Sequence, residues 1–300
     1  RVLITGATGL VGSRLVRLLK GRGISVNYLT TRKGKIIKRE DYCGFFYNPK
    51  KDLIDEDCLE GVGAIINLAG ENIAKRWTDK NKKKILNSRL DVVSLLFKTL
   101  EQNEHHVGQF ITASGISIYP HSFDKMYEED ESEVPESFLG RVLLKTEAAA
   151  DQFENLGLRV AKIRTGIVLA EKGGALPKFK APFNYHLGAA LGSGKQWQSW
   201  IDIEDIARIY LFVLENGLQG NYNAVAPNPV TNQELMQEIA STMGQKIRLP
   251  NVPAFAIKLA LGEMAETALS SQLVSDKKII DAGFTFNYKN LGASLEERIK

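Results

Sequence analysis

Apolar and polar positions follow two different periods along the first two-thirds of the chain. Short apolar runs predict buried strands at the first few residues and over 24–31, 64–70, 109–114, 158–169 and 221–226. Longer stretches with apolar residues three or four apart predict helices just after Gly9 and over 79–100, 138–156 and 203–217. This alternation is typical of βαβ units. The predicted fold class is therefore α/β, with a Rossmann-type doubly wound parallel sheet covered by helices on both faces.

The pattern changes after Leu169. Residues 171–200 are rich in glycine, proline and aromatic residues and have no clean period, and the tail from Pro227 reads as mostly helical. We therefore expect a Rossmann domain made of residues 1–169 and 201–226 and a small, mostly helical substrate-binding cap made of residues 170–200 and 227–300. No low-complexity linker separates the two, so they should pack closely together.

The segment with the clearest chemistry is residues 3–12, where Gly6, Gly9 and Gly12 are spaced three apart between a predicted strand and a predicted helix. A side chain at these positions would block both the tight turn and the approach of a pyrophosphate to the helix N-terminus. We therefore predict dinucleotide binding, rather than a merely structural glycine-rich turn. The predicted contacts are Gly6, Thr8, Gly9, Leu10, Val11 and Gly12.

The choice between NAD and NADP depends on the end of the second strand. About 20 positions past the last glycine, NAD-binding proteins carry an acidic residue for the ribose 2′-hydroxyl. This chain has Arg32 there, directly after Thr31. A guanidinium can clamp a 2′-phosphate that an aspartate would repel. The sequence therefore predicts NADP(H), with NAD(H) less favoured; the alternative is that these are ordinary polar residues opening a loop.

Composition and charge narrow the possible partners. A net charge of +4 over 300 residues is modest, and the basic stretch at 80–84 lacks the aromatic or glycine interleaving of a nucleic-acid site. The two cysteines have neither metal nor disulfide spacing. No export signal and no apolar run of membrane-spanning length is evident. We therefore expect a cytoplasmic protein with a small-molecule substrate, and no metal, nucleic-acid or membrane partner.

Several motifs together resemble one known family. Residues 5–12 resemble the glycine motif of extended short-chain dehydrogenases/reductases. Residues 67–77 and 87–89 look like the signature of its "epimerase family" branch, which carries a small C-terminal domain of unknown function. Residues 200–205 and 223–227 fit the same branch. The resemblance spans essentially the whole chain and implies a nucleoside-diphosphate-sugar-epimerase-like oxidoreductase or epimerase.

The resemblance also implies roles for individual residues along the cofactor. It places Leu68, Ala69 and Gly70 beside the adenosine and its ribose. Arg89 would reach phosphate oxygens, with a surface ion pair as the alternative. The residues implied beside the nicotinamide are Arg164, Gly166, Ile167, Val168 and Leu169.

The catalytic residues that the resemblance implies are incomplete. Members of this family use a Ser or Thr after one strand, with a Tyr and a Lys four residues apart on the next helix. Ser114 and Lys145 match two of these roles, but Arg141 stands where the tyrosine is expected. A permanently charged guanidinium cannot transfer a phenol's proton. Arg141 could instead hold an anionic substrate, or point into solvent.

Two function classes remain open from the sequence. The first is an NADP(H)-dependent oxidoreductase or epimerase-like enzyme acting on an unidentified small molecule, with Tyr119 or Tyr185 as a possible source of a phenol. The second is an NADP(H)-binding sensor or regulatory protein without catalysis. A scaffold that binds no nucleotide is the least favoured. The resemblance further implies a homodimer formed through the helices at 79–100 and 138–156, the first of which is rich in apolar residues.

Overall fold

A nine-stranded, mostly parallel sheet forms the centre of the computed structural model, which describes residues 1–299. In chain order the strands are β1 (Val2–Thr5), β2 (Val26–Thr30), β3 (Lys38–Arg39), β4 (Tyr42–Asn48), β5 (Leu53–Ile54), β6 (Ala64–Asn67), β7 (Gln109–Gly115), β8 (Met126–Tyr127), β9 (Arg159–Thr165), β10 (Ile167–Leu169), β11 (Trp197–Gln198), β12 (Trp200–Asp202), β13 (Gly220–Ala224), β14 (Val230–Thr231) and β15 (Leu273–Val274). The helices are α1 (Leu10–Gly21), α2 (Asp79–Gln102), α3 (Phe138–Asp151), α4 (Leu176–Lys180), α5 (Ile203–Glu215), α6 (Asn232–Thr242), α7 (Ala254–Leu261), α8 (Glu266–Leu269), α9 (Lys277–Asp281) and α10 (Leu291–Arg298).

The strand order places a crevice at the middle of the sheet. Neighbours follow the order β13-β9-β7-β6-β1-β2-β4-β3, with β5 beside β4. The chain therefore runs outward from β1 through β2 to β4, and then crosses back to β6 and outward the other way. Open α/β sheets bind ligands at such a switch point, outside the carboxyl ends of the strands. In this chain that point lies between β1 and β6.

Two helical layers cover the sheet, as the alternating burial of β1 shows. Ile4 packs in a core with Leu15 of α1 and Ile206 of α5, whereas Leu3 packs in a second core with Val93 of α2 and Phe153. Successive side chains of a strand point to opposite faces, so these two cores lie on opposite sides of the sheet. The predicted α/β class with a doubly wound parallel sheet is confirmed.

The strands differ from the sequence prediction both in their bounds and in their number. The predicted strand at 158–169 is divided at Gly166 into β9, in the central sheet, and β10, which pairs with β12. The break needs glycine, because a Cβ at residue 166 would lie 2.4 Å from the carbonyl oxygen of Ser199. Strand β4 was not predicted, and neither were the short strands β3, β5, β8, β11, β12, β14 and β15. The aromatic residues of β4 include Tyr47.

The C-terminal region is mostly helical, as predicted, and shares a core with the sheet region. Leu169 and Trp200 complete one apolar cluster with Leu235 of α6 and Leu291 of α10. The proposed division at residues 170–200 and 227–300 therefore stays a prediction. Within residues 1–299, no helix is both long and apolar enough to cross a bilayer.

The apolar residues of α2 are used by the chain's own core. Val93 and Leu96 are buried against the sheet, and the ring of Phe97 lies edge-on to that of Phe153, with centroids 5.5 Å apart. Leu86 also packs against a buried cluster. These side chains therefore give no separate support for a dimer interface, and the homodimer stays a prediction.

Candidate cofactor and active site

The turn between β1 and α1 is built around glycine. Gly6 adopts a positive φ of 72°, and a Cβ there would lie 2.9 Å from the carbonyl group of Leu68. A Cβ at Gly12 would lie 2.2 Å from the carbonyl oxygen of Gly6, and the amide of Gly9 donates to that same oxygen at 2.9 Å. These contacts explain the spacing of the three glycines. They bring the first turn of α1 against the end of β1.

The N-terminus of α1 offers free donors. Gly9 is the N-cap and provides no side-chain hydrogen bond, so no side chain covers the first amides of the helix. Thr8 and Gly9 are exposed, and Leu10 and Val11 are half-buried. Unpaired amides together with the positive end of the helix dipole form an anion site. The turn is therefore shaped to hold a pyrophosphate.

A polar ladder that the sequence analysis missed fixes the neighbouring strand ends. Thr5 Oγ1 donates to Asn67 Oδ1 at 2.6 Å, and Asn67 Nδ2 donates to Thr112 Oγ1 at 3.1 Å. Thr5 Oγ1 also accepts the amides of Leu68 and Ala69 at 3.1 and 3.0 Å. These amides are therefore not available to a ligand. The signal in the sequence was a polar residue near the end of three of the predicted strands.

Arg89 reaches the crevice from the side of α2. Its Nη1 donates to the carbonyl oxygens of Ile85 and Glu71 at 2.9 and 3.3 Å. A Cβ at Gly70 would lie 3.1 Å from the guanidinium carbon, so the small residue admits the cation. Burial lowers the pKa of Arg89. The side chain takes part in no salt bridge among residues 1–299, contrary to the surface-pair alternative.

The residues predicted for the 2′-phosphate follow the carboxyl end of β2. The amide of Arg32 bonds to Thr30 Oγ1 at 3.2 Å, which turns the chain sharply away from β2. Thr31, Arg32 and Lys33 are exposed. Within the described residues, the guanidinium of Arg32 has no hydrogen-bond or salt-bridge partner, so it can meet a phosphate without first breaking an ion pair.

The strand break at Gly166 forms the opposite end of the crevice. Val168 is half-buried and Leu169 is fully buried in the cap core. The segment that follows turns back over α1, since a Cβ at Gly173 would lie 3.3 Å from Leu10 Cδ1. The loop after β10 therefore packs beside the glycine turn.

Ser114 belongs to a buried network rather than to an open site. Its hydroxyl donates to Glu147 Oε1 at 2.5 Å. Arg164 holds the same carboxylate with two bonds, from Nε to Oε1 at 3.0 Å and from Nη2 to Oε2 at 2.9 Å. Burial disfavours the charge of Arg164, but the bonds to Glu147 outweigh it and raise its pKa. This guanidinium is therefore held by Glu147, and its predicted contact with the nicotinamide stays a prediction.

Tyr119 continues this network. Arg164 Nη1 donates to its hydroxyl at 3.0 Å, and the hydroxyl donates to Asn223 Oδ1 at 2.6 Å. Burial raises the pKa of Tyr119 to about 12, even though the charge of Arg164 opposes the rise. Both candidate hydroxyls, those of Ser114 and Tyr119, thus have partners within the protein.

The orientation of α3 determines where the predicted catalytic residues Arg141 and Lys145 point. Glu147 faces the sheet, and so do Leu143 and Leu139, four and eight residues earlier. A residue two positions from Glu147 is rotated about 200° around the helix. Lys145 is accordingly exposed, and Arg141 is exposed with its guanidinium bonded to the carbonyl oxygen of its neighbour Glu136. Among residues 1–299, neither Arg141 nor Lys145 forms a hydrogen bond with Ser114, and their catalytic role stays a prediction.

Leu143 of α3 packs beside the end of β7. Its Cδ1 is 3.5 Å from the position of a Cβ at Gly115, the residue after Ser114. Leu139 and Leu143 pack in a cluster with Trp77 and Ile116. Tyr185, the remaining candidate phenol, is 76% exposed on the cap. The part of α3 that packs beside the end of β7 is therefore apolar.

Comparison with known proteins assigns the family. The chain belongs to the NAD dependent epimerase/dehydratase family, whose model matches residues 2–225. A second model, a domain of unknown function designated DUF1731, matches residues 252–297. The resemblance inferred from the sequence is confirmed.

Relatives of this chain align over its whole length. Epimerase family protein SH2119 of Staphylococcus haemolyticus is 36% identical over 99% of this chain and 98% of its own length. A crystal structure of the human epimerase family protein SDR39U1 (isoform 2) with NADPH matches with a TM-score of 0.84 and 30% identity, covering 99% of this chain and 98% of that one. The nucleoside-diphosphate sugar epimerase of Corynebacterium glutamicum matches at a TM-score of 0.79 and 30% identity, over 99% of this chain and 57% of its own.

Proposed function

We propose that this protein binds NADP(H) in the crevice between β1 and β6. The single observation that carries the proposal is the glycine turn, in which Cβ atoms at Gly6 and Gly12 would collide with backbone while the first amides of α1 stay free. The unpaired guanidinium of Arg32 favours the 2′-phosphate form. The presence of NADPH in the structure of the human relative supports the same choice.

We further propose that the protein acts on a small molecule as an oxidoreductase or epimerase-like enzyme. When bound, the nicotinamide supplies a hydride donor or acceptor. The glycine turn would hold the pyrophosphate, Arg89 would add a positive charge behind Gly70, and Gly166 and Val168 would line the nicotinamide end. Leu139 and Leu143, on the face of α3 that packs against the sheet, have no proton to give, so such an enzyme would take its proton from another group.

The second candidate is a sensor that binds NADP(H) without turning it over. The apolar face of α3 favours it, together with the engagement of Ser114 by Glu147. Turnover of a panel of carbonyl and hydroxyl substrates, measured beside a binding titration of NADPH, separates the two. Oxidation of NADPH that depends on substrate, or conversion of a hydroxyl substrate to its epimer with no net change in the cofactor, supports the enzyme. Tight binding with no conversion of any substrate supports the sensor.

Replacing Arg32 tests the cofactor assignment. We expect Arg32→Ala to weaken NADPH binding by roughly ten- to a hundredfold, since a hydrogen bond to a charged group contributes about 1.5–3 kcal/mol. Binding of NADH should change little, because it lacks the 2′-phosphate. Fluorescence titration of both nucleotides measures the effect, with Arg17→Ala, an exposed arginine on α1, as the control. Equal affinity of the unmodified protein for the two nucleotides would refute the assignment.

A further inference from the structure

The turn that follows β2 is unusually rich in positive charge. Five cations lie on this turn and on β3, within eight residues: Arg32, Lys33, Lys35, Lys38 and Arg39. None of them forms a salt bridge with a residue in the range 1–299. The ammonium of Lys33 lies 5.2 Å from the ring centroid of Phe46, and Phe46 pairs with Thr30 in the sheet. Lys33 is therefore held near the carboxyl ends of β2 and β4, one residue after Arg32.

A buried tyrosine ties this turn to the sheet. Tyr28, on β2, is 1% exposed. Its hydroxyl donates to the carbonyl oxygen of Lys35 at 2.7 Å and accepts the amide of Ile37 at 2.9 Å. The amide of Gly44 donates to the carbonyl oxygen of Ile37 at 2.7 Å. One side-chain hydroxyl thus makes two bonds to the backbone of a turn that is otherwise exposed to solvent.

The sheet makes room for this side chain. A Cβ at Gly44 would lie 2.5 Å from both Cζ and Oη of Tyr28, so only glycine at that position of β4 lets the phenol reach the turn. On its other side the ring stacks on Tyr42, with centroids 4.4 Å apart. The phenol is therefore fixed in one orientation by its neighbours. Its hydroxyl can in turn fix the backbone at Lys35 and Ile37.

We infer that Tyr28 is a positioning residue for cofactor selection, and that Lys33 joins Arg32 in the subsite for the 2′-phosphate. The inference rests on the proposed binding of NADP(H). Two cations on a loop bind a phosphate more tightly when the loop is already ordered. If the loop is flexible, the entropy lost when it becomes ordered lowers the affinity. The two bonds from Tyr28 provide that order, and NADH, which lacks the phosphate, gains nothing from it.

The test is Tyr28→Phe, with the affinities for NADPH and NADH measured by titration. Removal of the hydroxyl leaves the ring packing intact and unties the turn. We expect the Kd for NADPH to rise about five- to twelvefold, as the loss of a hydrogen bond of about 1–1.5 kcal/mol implies. The Kd for NADH should stay within about twofold. Tyr47→Phe is the matched control: Tyr47 is buried on β4, and its hydroxyl makes none of the bonds that hold the turn.

A second variant tests the subsite without touching the core. Lys33 is exposed, so Lys33→Gln should fold normally, weaken NADPH binding several-fold and leave NADH binding unchanged; Lys246→Gln, on an exposed loop of the cap, is its control. If the unmodified protein prefers NADPH but Tyr28→Phe keeps the full preference, the role of Tyr28 is refuted while the proposed cofactor stands. If the unmodified protein shows no preference, the proposed cofactor and this inference both fail.

Discussion

Gly12→Ala should abolish measurable NADPH binding, with a loss of affinity of at least about a hundredfold. The added Cβ would lie 2.2 Å from the carbonyl oxygen of Gly6 and 2.9 Å from the Cα of Ala7, and both are backbone atoms that cannot rotate away. The start of α1 must therefore move, and its amides move with it. Bonds to a charged ligand contribute about 1.5–3 kcal/mol each, so displacement of two of them accounts for the expected loss.

Gly21→Ala is the matched control for this prediction. Gly21 ends the same helix, and no atom lies within 4 Å of the position of its Cβ. NADPH affinity should not change in that variant. Circular dichroism and thermal unfolding should show Gly12→Ala folded but less stable, by about 1–3 kcal/mol, as for other overpacked sites. A Gly12→Ala protein with unaltered NADPH affinity would show that the pyrophosphate does not bind at this turn.

The elements predicted well from the sequence are those whose causes are local. The turn at Gly6, Gly9 and Gly12 needs glycine for contacts made within a few residues, and the position of Arg32 follows from a short count along the chain. Strand β4 was missed because its requirement is not local. Gly44 interrupts an aromatic run there, and its purpose becomes visible only when Tyr28 of a neighbouring strand occupies the space above it.

The orientation of α3 could not be predicted from the sequence for the same physical reason. The spacing of Arg141 and Lys145 fits the family pattern of one helical face, but spacing alone does not say which face meets the sheet. That face is selected by Glu147, whose partner Arg164 lies 17 residues further along the chain. A buried acidic residue on a helix and a buried arginine on the next strand were the available signal, and only their pairing could have revealed it.

Whether the protein is an enzyme or a sensor depends in part on the role of the Glu147–Arg164 pair. The two residues bind each other in a bidentate arrangement with only 8% and 7% of their side chains exposed. The pair joins α3 to the ends of β7 and β9, and through Ser114 and Tyr119 it occupies the hydroxyls that the sequence offered for catalysis. We therefore interpret the network as structural: it holds the apolar face of α3 against the sheet.

Replacement of Arg164 tests whether the network is structural, and it should have a large effect on stability. Arg164→Met should lower the free energy of unfolding by about 3–5 kcal/mol, because it leaves the buried carboxylate of Glu147 unpaired. Replacement of both partners, as Arg164→Met with Glu147→Leu, should recover much of the loss, since apolar groups of similar size need no partner. Urea unfolding of both variants measures the difference, with Arg159→Ala, at the exposed start of the same strand, as the control.

The same double variant connects stability to function. If the network has only a structural role, the folded double variant should bind NADPH about as tightly as the unmodified protein. In that case neither Arg164 nor Glu147 touches the cofactor. Selective loss of NADPH affinity in a stable double variant would mean that Arg164 contacts the bound nucleotide after all, as the family resemblance implied. A stable Arg164→Met single variant would instead mean that water or another group satisfies Glu147, and that α3 does not depend on this pair for its position.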